Sequence, residues 1–489
     1  MNPPSRRGDT TATPAGTVPD ATPSTGITVR VVVDEPAVDK AFDYLVPPSF
    51  AGSVRIGAPV RAPLHGRQVG GWIVGIEPTA VEGVTLRPLT RISGWGPEPQ
   101  LFDLADWAAR RWAGRPVHFL RTASAPARVL GLPEDRSAPL PVPAPTDPVL
   151  VEALAARRAT VRWPPGADRL PVVLAAASTG PTLVVAPSHV EAAELAVRLR
   201  RAGVSTALMP REWARARAGA QVVIGARAAA WAPCPGLAAV VVLEEHEEVL
   251  QEEASPTWHA REVVVERARR ASATCLLVSS CPSLEAQGQA PLLTVDRSAE
   301  RAGWPVVDVV DRRQEDPLHS DLYSTRLVDL VRSGRRVVCV LNRKGRARLL
   351  ACRSCAELVR CDRCGAAVGG GDDGLLVCPR CSATRPSVCL HCGSTALKLR
   401  RLGTTRARED LERLAGVPVG EVTGDSDAVP DATVLVGTEA VLRRVGHADA
   451  VAFLDLDAEL LAPRYRAAEE AMALVTRAAR LLGDRSKGG

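Results

Sequence analysis

A chain of 489 residues, 46% hydrophobic and 24% charged, holds enough apolar material for more than one core, which excludes a wholly disordered protein. Its net charge of +6 is a mild basic excess, compatible with a nucleic-acid partner but not by itself an indication of one. The sequence has no run of about 18 apolar residues and no apolar segment after its N-terminal arginine pair, so we expect no membrane span, no signal peptide and a cytoplasmic protein.

The first third of the chain predicts small modules. Residues 1–26 are rich in Pro, Thr, Gly and Ser and are expected to form a disordered tail. The segment ITVRVVVD and two further segments joined by a polar Gly turn have sequence patterns typical of β-strands. They predict a small β domain over 27–99. Helical spacing in LFDLADWAARRWAG and the segment after it predicts a winged-helix-like module over 100–135, followed by a proline-rich linker at 136–148.

The remainder predicts two α/β lobes. Continuous apolar runs that indicate buried strands alternate with amphipathic helical stretches, a pattern typical of a parallel sheet with both faces covered. The pattern restarts near Leu327 and is interrupted by a cysteine-rich segment. We therefore predict a multidomain α/β fold with a first lobe over 149–320, a second lobe over 321–489 and an insertion over 350–396 in the second lobe.

Eight of the twelve cysteines form four Cys-x-x-Cys pairs, which predict metal ligation in a chain without a secretion signal. Two such pairs complete a tetrahedral thiolate site without an open position, so we predict two structural zinc ions per chain, with an iron–sulfur cluster as the alternative. The spacing favours a nested grouping, and consecutive pairing stays open. The nested sites are Cys352, Cys355, Cys389 and Cys392 (outer) and Cys361, Cys364, Cys378 and Cys381 (inner).

The strand Ala239 to Leu243 runs into the acidic sequence EEHEE. In motor ATPases a strand of this kind ends in Asp-Glu, and the Asp holds the magnesium of bound ATP. Here Leu243 stands in the Asp position and cannot bind magnesium, although Glu244 and Glu245 could still activate a water. His246 and His259 are candidates for contact with DNA or for coupling. We predict no catalytic residue, only degenerate motor positions at Leu243, Glu244, Glu245 and His246.

Other motor motifs are also incomplete. No G-x-x-x-x-G-K-[ST] phosphate loop occurs in the chain. If LPVVLAAA is the first strand of the first lobe, the loop position falls on residues 178–180, a plain turn without a lysine. In VTRAARLLGDR, Arg477 and Arg480 lack the glycine frame of an arginine-finger motif, so we interpret them as surface arginines of an amphipathic helix. Binding of ATP is therefore doubtful.

Taken in order, these segments resemble the family of primosomal replication restart proteins, PriA. The resemblance is carried by AFDYLVPPSF and VRIGAPVRAPLHGRQVGGWIVGI, by LADWAARRW, by LEEHEE with the downstream TWHARE, by VLNRKGRARLLACRSC with the eight cysteines, and by VLVGTEAVL and AVAFLDLDAELLAPRYRAAEEAMAL. It implies two degenerate RecA-like lobes of the superfamily 2 helicase type. It also implies that 27–99 is a DNA domain that binds 3′ ends.

The resemblance implies roles for four residues of that DNA domain. Phe42, Asp43 and Tyr44 would form the 3′-end pocket, in which the Asp accepts a hydrogen bond from the terminal 3′-OH and an aromatic ring stacks on a base. Gly57 would permit close approach of the backbone.

The resemblance also implies a function. The protein would bind stalled forks, D-loops and single-stranded 3′ ends at the nucleoid, contact single-strand-binding protein and the helicase-loading components, and help to reload the replicative helicase. Because the nucleotide motifs are lost, we expect a helicase-degenerate branch of the family, similar to the actinobacterial type. The alternative is an active ATP-dependent 3′–5′ DNA helicase with an aberrant nucleotide site. The family continues into a C-terminal domain that we expect to be missing or truncated here.

Overall fold

The computed structural model describes residues 26–77, 85–134, 141–311, 322–341, 349–370, 374–400, 404–424 and 426–485. The chain divides into two compact units, Met1–Phe102 with Arg128–Gly131, and Asp103–Ala127 with Leu132–Gly489. None of the described helices combines the length and the apolar character that a bilayer crossing requires.

The first unit is built on an antiparallel sheet. Its described strands are β1 (Thr28–Val33), β2 (Ala41–Leu45), β3 (Pro59–Leu64), β4 (Arg67–Ile76) and β5 (Arg91–Ile92). They are hydrogen-bonded in the order β2-β1-β4-β3-β5. Alternation along β1 buries Val29, Val31 and Val33 and leaves Arg30 exposed, as expected for a sheet with one buried face.

Two helices, α1 (Gln100–Arg111) and α2 (Pro116–Ala123), are the helices described within 100–134. In the second unit Phe119 of α2 stacks on Trp231 with ring centroids 5.1 Å apart, and the indole of Trp213 donates to the carbonyl of Ala123 at 2.9 Å. Helix α2 therefore packs on the first α/β lobe. The winged-helix assignment and the other domain boundaries stay predictions.

Lobe 1 alternates helices and strands along the chain. Its elements are α3 (Pro148–Ala156), β6 (Arg158–Arg162), α4 (Leu170–Ala177), β7 (Thr182–Val185), α5 (His189–Arg201), β8 (Thr206–Leu208), α6 (Trp213–Ala218), β9 (Val222–Gly225), β10 (Ala239–Leu243), α7 (Ala260–Ala271), β11 (Thr274–Ser279), α8 (Leu284–Gln289), β12 (Leu292–Thr294) and α9 (Arg297–Ala302).

The lobe 1 strands form a parallel sheet in the order β12-β6-β11-β10-β7-β9-β8. Every residue of β10 is buried, and both α4 and α7 pack against this strand. Because the strands are parallel, the segments that follow β6, β10 and β11 meet at one edge of the sheet, where ligands bind in folds of this kind. The predicted covered parallel sheet is confirmed.

Lobe 2 has a smaller parallel sheet with an insertion. Its elements are α10 (Thr325–Arg332), β13 (Val337–Val340), β14 (Leu349–Cys352), β15 (Gly369–Gly370), β16 (Leu375–Val377), β17 (Thr384–Pro386), β18 (Leu397–Arg400), α11 (Thr404–Ala415), β19 (Val419–Val422), β20 (Val434–Gly437), α12 (Ala440–Arg444), β21 (Ala450–Phe453), α13 (Leu456–Leu460) and α14 (Ala467–Leu482).

The parallel order in lobe 2 is β19-β20-β13-β21. Strands β14 to β18 interrupt it between β13 and α11. The antiparallel pair of β14 and β18 brings the two ends of this insertion side by side, and β15, β16 and β17 form a small sheet of their own. Two α/β lobes with a cysteine-rich insertion in the second are therefore confirmed.

Candidate functional site

The loop that follows the first strand of lobe 1 differs from the sequence prediction. LPVVLAAA is not a strand but helix α4, and the strand before it is β6. The predicted phosphate-loop position at 178–180 was therefore wrong, because the strand-to-helix loop is 163–169. Arg169 is the N-cap of α4 and Leu170 its first residue. These two positions are where a phosphate loop carries its Lys and its Ser/Thr.

Glu244 is the first residue after β10 and joins several elements. Its side chain is 1% exposed, and its Oε1 accepts from Arg169 Nε at 3.1 Å. Its Oε2 accepts from the backbone N and the hydroxyl of Ser280, each at 3.4 Å. Burial raises the pKa of Glu244, but Arg169 and then Arg480 outweigh it and lower the pKa to about 2. The carboxylate is thus held charged by arginines.

The backbone at Glu244 has φ of +49°, in the left-handed region that non-glycine residues seldom adopt. Such a conformation costs about 1–3 kcal/mol and persists where its surroundings over-determine it. Here the hydrogen bonds and ion pairs of the Glu244 carboxylate hold the residue in this conformation.

Glu245 is fully buried and fully bonded within lobe 1. Its Oε2 accepts from Arg261 Nη1 at 2.7 Å and from the Ser283 hydroxyl at 2.8 Å, and its Oε1 accepts from Ser283 N at 2.7 Å. Ser283 is also the N-cap of α8. A carboxylate with both oxygens engaged and no exposed surface has no water to activate in this conformation.

Both candidate histidines are at least partly buried and have partners within lobe 1. His246 lies beside Glu244, with its Nδ1 2.7 Å from the Ser279 hydroxyl. His259 is the N-cap of α7, where its Nδ1 accepts from the backbone N of Arg261 at 3.2 Å. Burial and then the Arg261 guanidinium lower the pKa of His259 to about 3, which keeps the ring neutral and able to accept. His259 therefore has a capping role.

Arg477 and Arg480 of α14 are not surface arginines, and that interpretation was wrong. Arg477 is 9% exposed and donates from Nε to Glu247 Oε1 at 3.1 Å. Arg480 binds Glu191, and its Nε lies 3.7 Å from Glu244 Oε1. Both arginines belong to lobe 2, whereas Glu191, Glu244 and Glu247 belong to lobe 1, so the two lobes meet through these side chains.

Six side chains at this boundary form what we call the interlobe cluster. It contains three guanidiniums and three carboxylates, and the carboxylate of Glu439 lies 3.9 Å from Arg477 Nη1, so each positive charge of the cluster is compensated. Burial raises the pKa of Glu247, but Arg477 outweighs it and the pKa is lowered. The members are Arg169, Arg477, Arg480, Glu191, Glu244 and Glu247.

Three members of the cluster were not singled out from the sequence. Glu191 and Glu247 are ordinary surface residues by sequence pattern, and Arg169 lay in a segment not recognised as the loop. The signal that could have identified Arg169 is the set of residues GADRL, 166–170, in which a glycine precedes a cation at the start of a helix.

The eight predicted cysteines lie in two groups of four. Sulfur pairs in the outer group are 3.5 and 3.6 Å apart, and those in the inner group 3.6 and 3.5 Å. All sulfurs within a group lie within 4.8 Å of one another, and the grouping is the nested one. A tetrahedral zinc with Zn–S bonds of about 2.3 Å separates its sulfurs by about 3.8 Å, so both groups fit one tetrahedral ion each.

The residues predicted to bind a 3′ end lie in the first unit. Asp43 accepts two hydrogen bonds from Arg30, at 2.8 and 3.0 Å, and Lys40 lies 5.3 Å from the centroid of the half-buried Phe42 ring. Tyr44 is 4% exposed and donates to the carbonyl of Pro63, so it is a core residue and its ring cannot stack on a base. That leaves Phe42 as the accessible aromatic of the predicted set.

Gly57 has φ of +86°, and a Cβ there would lie 2.0 Å from the carbonyl oxygen of Pro97. The close backbone approach predicted for it is therefore made within the first unit.

Several known proteins are similar to this chain. The family model of the PriA 3′DNA-binding domain (3′BD) matches residues 30–125. The probable replication restart protein PriA of Mycobacterium tuberculosis (strain CDC 1551 / Oshkosh) is 32% identical over 93% of this chain and 78% of its own. The replication restart protein PriA of Bacillus subtilis (strain 168) is 27% identical over 60% of this chain and 40% of its own. Among solved structures, the DUF1998 helicase MrfA bound to DNA aligns with a TM-score of 0.35 at 12% identity, covering 72% of this chain and 51% of its own.

Proposed function

Since this chain belongs to the family of PriA replication restart proteins, we propose that it binds stalled forks and D-loops to help reload the replicative helicase, and that it does so without hydrolysing ATP. A protein of this kind acts in the cytoplasm, at the nucleoid. Its energy comes from binding, through neutralisation of DNA phosphates by arginine and lysine, rather than from nucleotide turnover.

The observation that carries this proposal is the charge balance of the interlobe cluster. A triphosphate needs uncompensated cations, and phosphoryl transfer depends almost wholly on positioning and charge stabilisation. Here Arg169 in the lysine position binds Glu244, and Arg480 binds Glu191 and lies beside Glu244. The two positions that would hold magnesium carry the alkyl side chains of Leu170 and Leu243.

Two structural zinc ions form part of the proposal. The donor sets are four thiolates each, which is the set that structural zinc prefers. The short sulfur–sulfur distances favour one tetrahedral ion over an iron–sulfur cluster, whose sulfide-bridged irons hold the thiolates farther apart. Zinc would fold the insertion of lobe 2 and leave no position open for a substrate.

Contact with DNA begins, in this proposal, at the first unit. The half-buried ring of Phe42 would stack on the terminal base of a leading strand. The carboxylate of Asp43, oriented by its two hydrogen bonds from Arg30, would accept from the 3′-OH. Single-strand-binding protein and the helicase-loading components are the protein partners that this role requires.

Titration with a fluorescent, non-hydrolysable ATP analogue in the presence of magnesium tests the proposal. The protein is first shown to bind a fork, so that inactivity of the preparation is excluded. We expect no saturable binding at millimolar analogue. Saturable binding that is weakened by Arg169→Ala would instead support the alternative, an ATP-dependent 3′–5′ helicase with an aberrant nucleotide site.

A further inference from the structure

The apolar side of helix α14 packs into the core of lobe 2. Leu474 and Ala478 are buried in the lobe 2 core together with Val338 and Leu435. Arg477 lies between these two apolar positions along the helix and is almost fully buried. The helix therefore cannot follow lobe 1 in any movement without leaving its own core.

Three arginines associated with α14 reach lobe 1 at separate places. Arg466, the N-cap residue, lies 2.7 Å from Glu285. Arg477 lies against Glu247, and Arg480 against Glu191 and Glu244. We call these three arginines and their four glutamates the interlobe clasp. The helix spans 16 residues, about 24 Å of length, so contacts at both ends constrain rotation as well as translation.

The two lobes also approach each other through their backbones. Gly166, in the strand-to-helix loop of lobe 1, lies so close to the chain beyond α14 that a Cβ would be 2.5 Å from the backbone N of Asp484. In a phosphate loop such a glycine lets the backbone approach the phosphates. Here it lets the backbone of lobe 1 approach that of lobe 2.

We propose that the interlobe clasp fixes the two lobes in a single relative orientation without any nucleotide. In a motor the closed arrangement of lobes forms around the bound ligand and relaxes when the ligand leaves. In this chain, given that it does not use ATP, the contacts that a nucleotide would bridge are made by its own arginines and glutamates. The lobes are then one rigid platform rather than two moving parts.

Ion pairs suit this task because they specify geometry. The buried members are weakly screened, and another relative placement of the lobes would leave the arginines and glutamates without matched partners. Both lobes also fall within one compact unit of the chain.

Single-molecule energy transfer on the full, zinc-loaded chain tests this proposal. Dyes are attached through non-natural residues at Val151 of lobe 1 and Val417 of lobe 2, both of which are exposed. We expect one narrow efficiency distribution that ATP and its analogues do not shift. In the double variant Arg477→Met and Arg480→Met, the low-efficiency fraction should rise about tenfold or more, because two of the three arginines of the clasp are lost while an unbranched apolar stem remains at each position.

A matched control removes two arginines whose ion pairs stay within one lobe. Arg227 pairs with Glu252 in lobe 1, and Arg408 pairs with Glu412 in lobe 2, each at 2.8 Å. The double variant Arg227→Met and Arg408→Met should keep the single narrow distribution. Hydrogen exchange of the β10 and β20 amides shows whether each lobe stays folded in both variants.

The outcomes separate this proposal from the proposed function. A broad or two-state distribution in the unmodified chain overturns the clasp, and so does an unchanged narrow distribution in the clasp variant. Turnover of ATP by a chain whose distribution stays single would instead overturn the absence of hydrolysis and leave the clasp standing.

Discussion

Arg480 of lobe 2 and Glu244 of lobe 1 face each other across the lobe boundary, with Nε and Oε1 3.7 Å apart. The same Glu244 oxygen accepts from Arg169, at the start of α4. One carboxylate thus connects the strand-to-helix loop of one lobe with the last described helix of the other. In our account this side-chain network stands where a motor would bind nucleotide between its lobes.

Glu245 is a structural residue in this account, and its neutralisation should destabilise lobe 1. Glu245→Gln removes the buried carboxylate partner of Arg261 and leaves it only the longer contact with Glu262 at 3.4 Å, which costs up to about 3–5 kcal/mol. Hydrogen exchange of the β10 and β11 amides measures the loss as a lower free energy of opening. The exposed Glu253 provides the control, since Glu253→Gln should change nothing. Unchanged protection in Glu245→Gln together with tighter ATP binding would indicate a catalytic glutamate instead.

The contribution of Glu244 to stability should depend on pH. Its folded-state pKa of about 2 lies below the ordinary 4.5, so its stabilisation is complete above pH 4.5 and is lost as the pH falls through 2. The advantage of the unmodified chain over Glu244→Gln should therefore shrink by about 2 kcal/mol between pH 7 and pH 3. Hydrogen exchange of the β10 amides at pH 7 and at pH 3 measures this difference in stability between the unmodified chain and the variant. A constant advantage would show that the carboxylate is not held charged by Arg169 and Arg480.

A change in one of the two cysteine groups should remove its own metal ion and leave the other ion in place. Cys352→Ser should remove one of two zinc ions per chain and Cys361→Ser the other, because the sulfur groups are distinct. Elemental analysis of the purified variants gives the metal-to-protein ratio. Cys281, which belongs to neither group, is the control, and Cys281→Ser should retain both ions. Loss of both ions from one single variant with a folded insertion would contradict separate sites.

A methyl group at position 166 should disturb the contact between the lobes. The Cβ of Gly166→Ala would lie 2.5 Å from the backbone N of Asp484, and such overpacking costs about 1–3 kcal/mol. Calorimetric unfolding should show a lower midpoint. Gly288 in α8 has open space around its Cα, so Gly288→Ala should leave the midpoint unchanged or raise it slightly. Equal midpoints for the two variants would argue against close approach of the lobes.

Recognition of a 3′ end should depend on Phe42. Phe42→Ala should weaken binding of a fork with a free leading 3′-OH by about 1–3 kcal/mol, the usual range for stacking on one base. Fluorescence anisotropy with forks that carry a free or a phosphorylated 3′ end measures the preference for the free end. In Phe42→Ala this preference should nearly disappear. Tyr44→Phe removes only a hydroxyl that faces Pro63, and its preference for the free end should persist. An equal loss in both variants would point to disruption of the sheet.

Local patterns predicted the features that depend on nearby residues. The cysteine spacing sufficed for the nested groups because each Cys-x-x-Cys pair closes its own knuckle. The strands TLVV and AVVVL were recognisable because they are buried at every residue. In contrast, LPVVLAAA is equally apolar because α4 is a buried helix, and the true strand RATVR is flanked by arginines. A short apolar run does not distinguish these cases.

The interlobe contacts could not be predicted because their partners are distant in sequence. Glu247 and Arg477 are 230 positions apart, and each looks like an ordinary exposed charge in its own helix or turn. Tyr44 was likewise ambiguous, since an aromatic residue in a strand can face either the core or a ligand. Only the register that pairs β2 with β1 turns Tyr44 inward.

Steady-state ATP hydrolysis by the zinc-loaded protein, measured with and without a fork that carries a free leading 3′ end, shows whether the two lobes turn over nucleotide. We predict no DNA-stimulated turnover by protein that demonstrably binds the fork, because Arg169 and Arg480 are engaged with Glu244 and Glu191. DNA-stimulated turnover that is abolished by changing Glu244 and Glu245 to Gln would contradict it. The lobes would then be a working motor with an unusual phosphate loop.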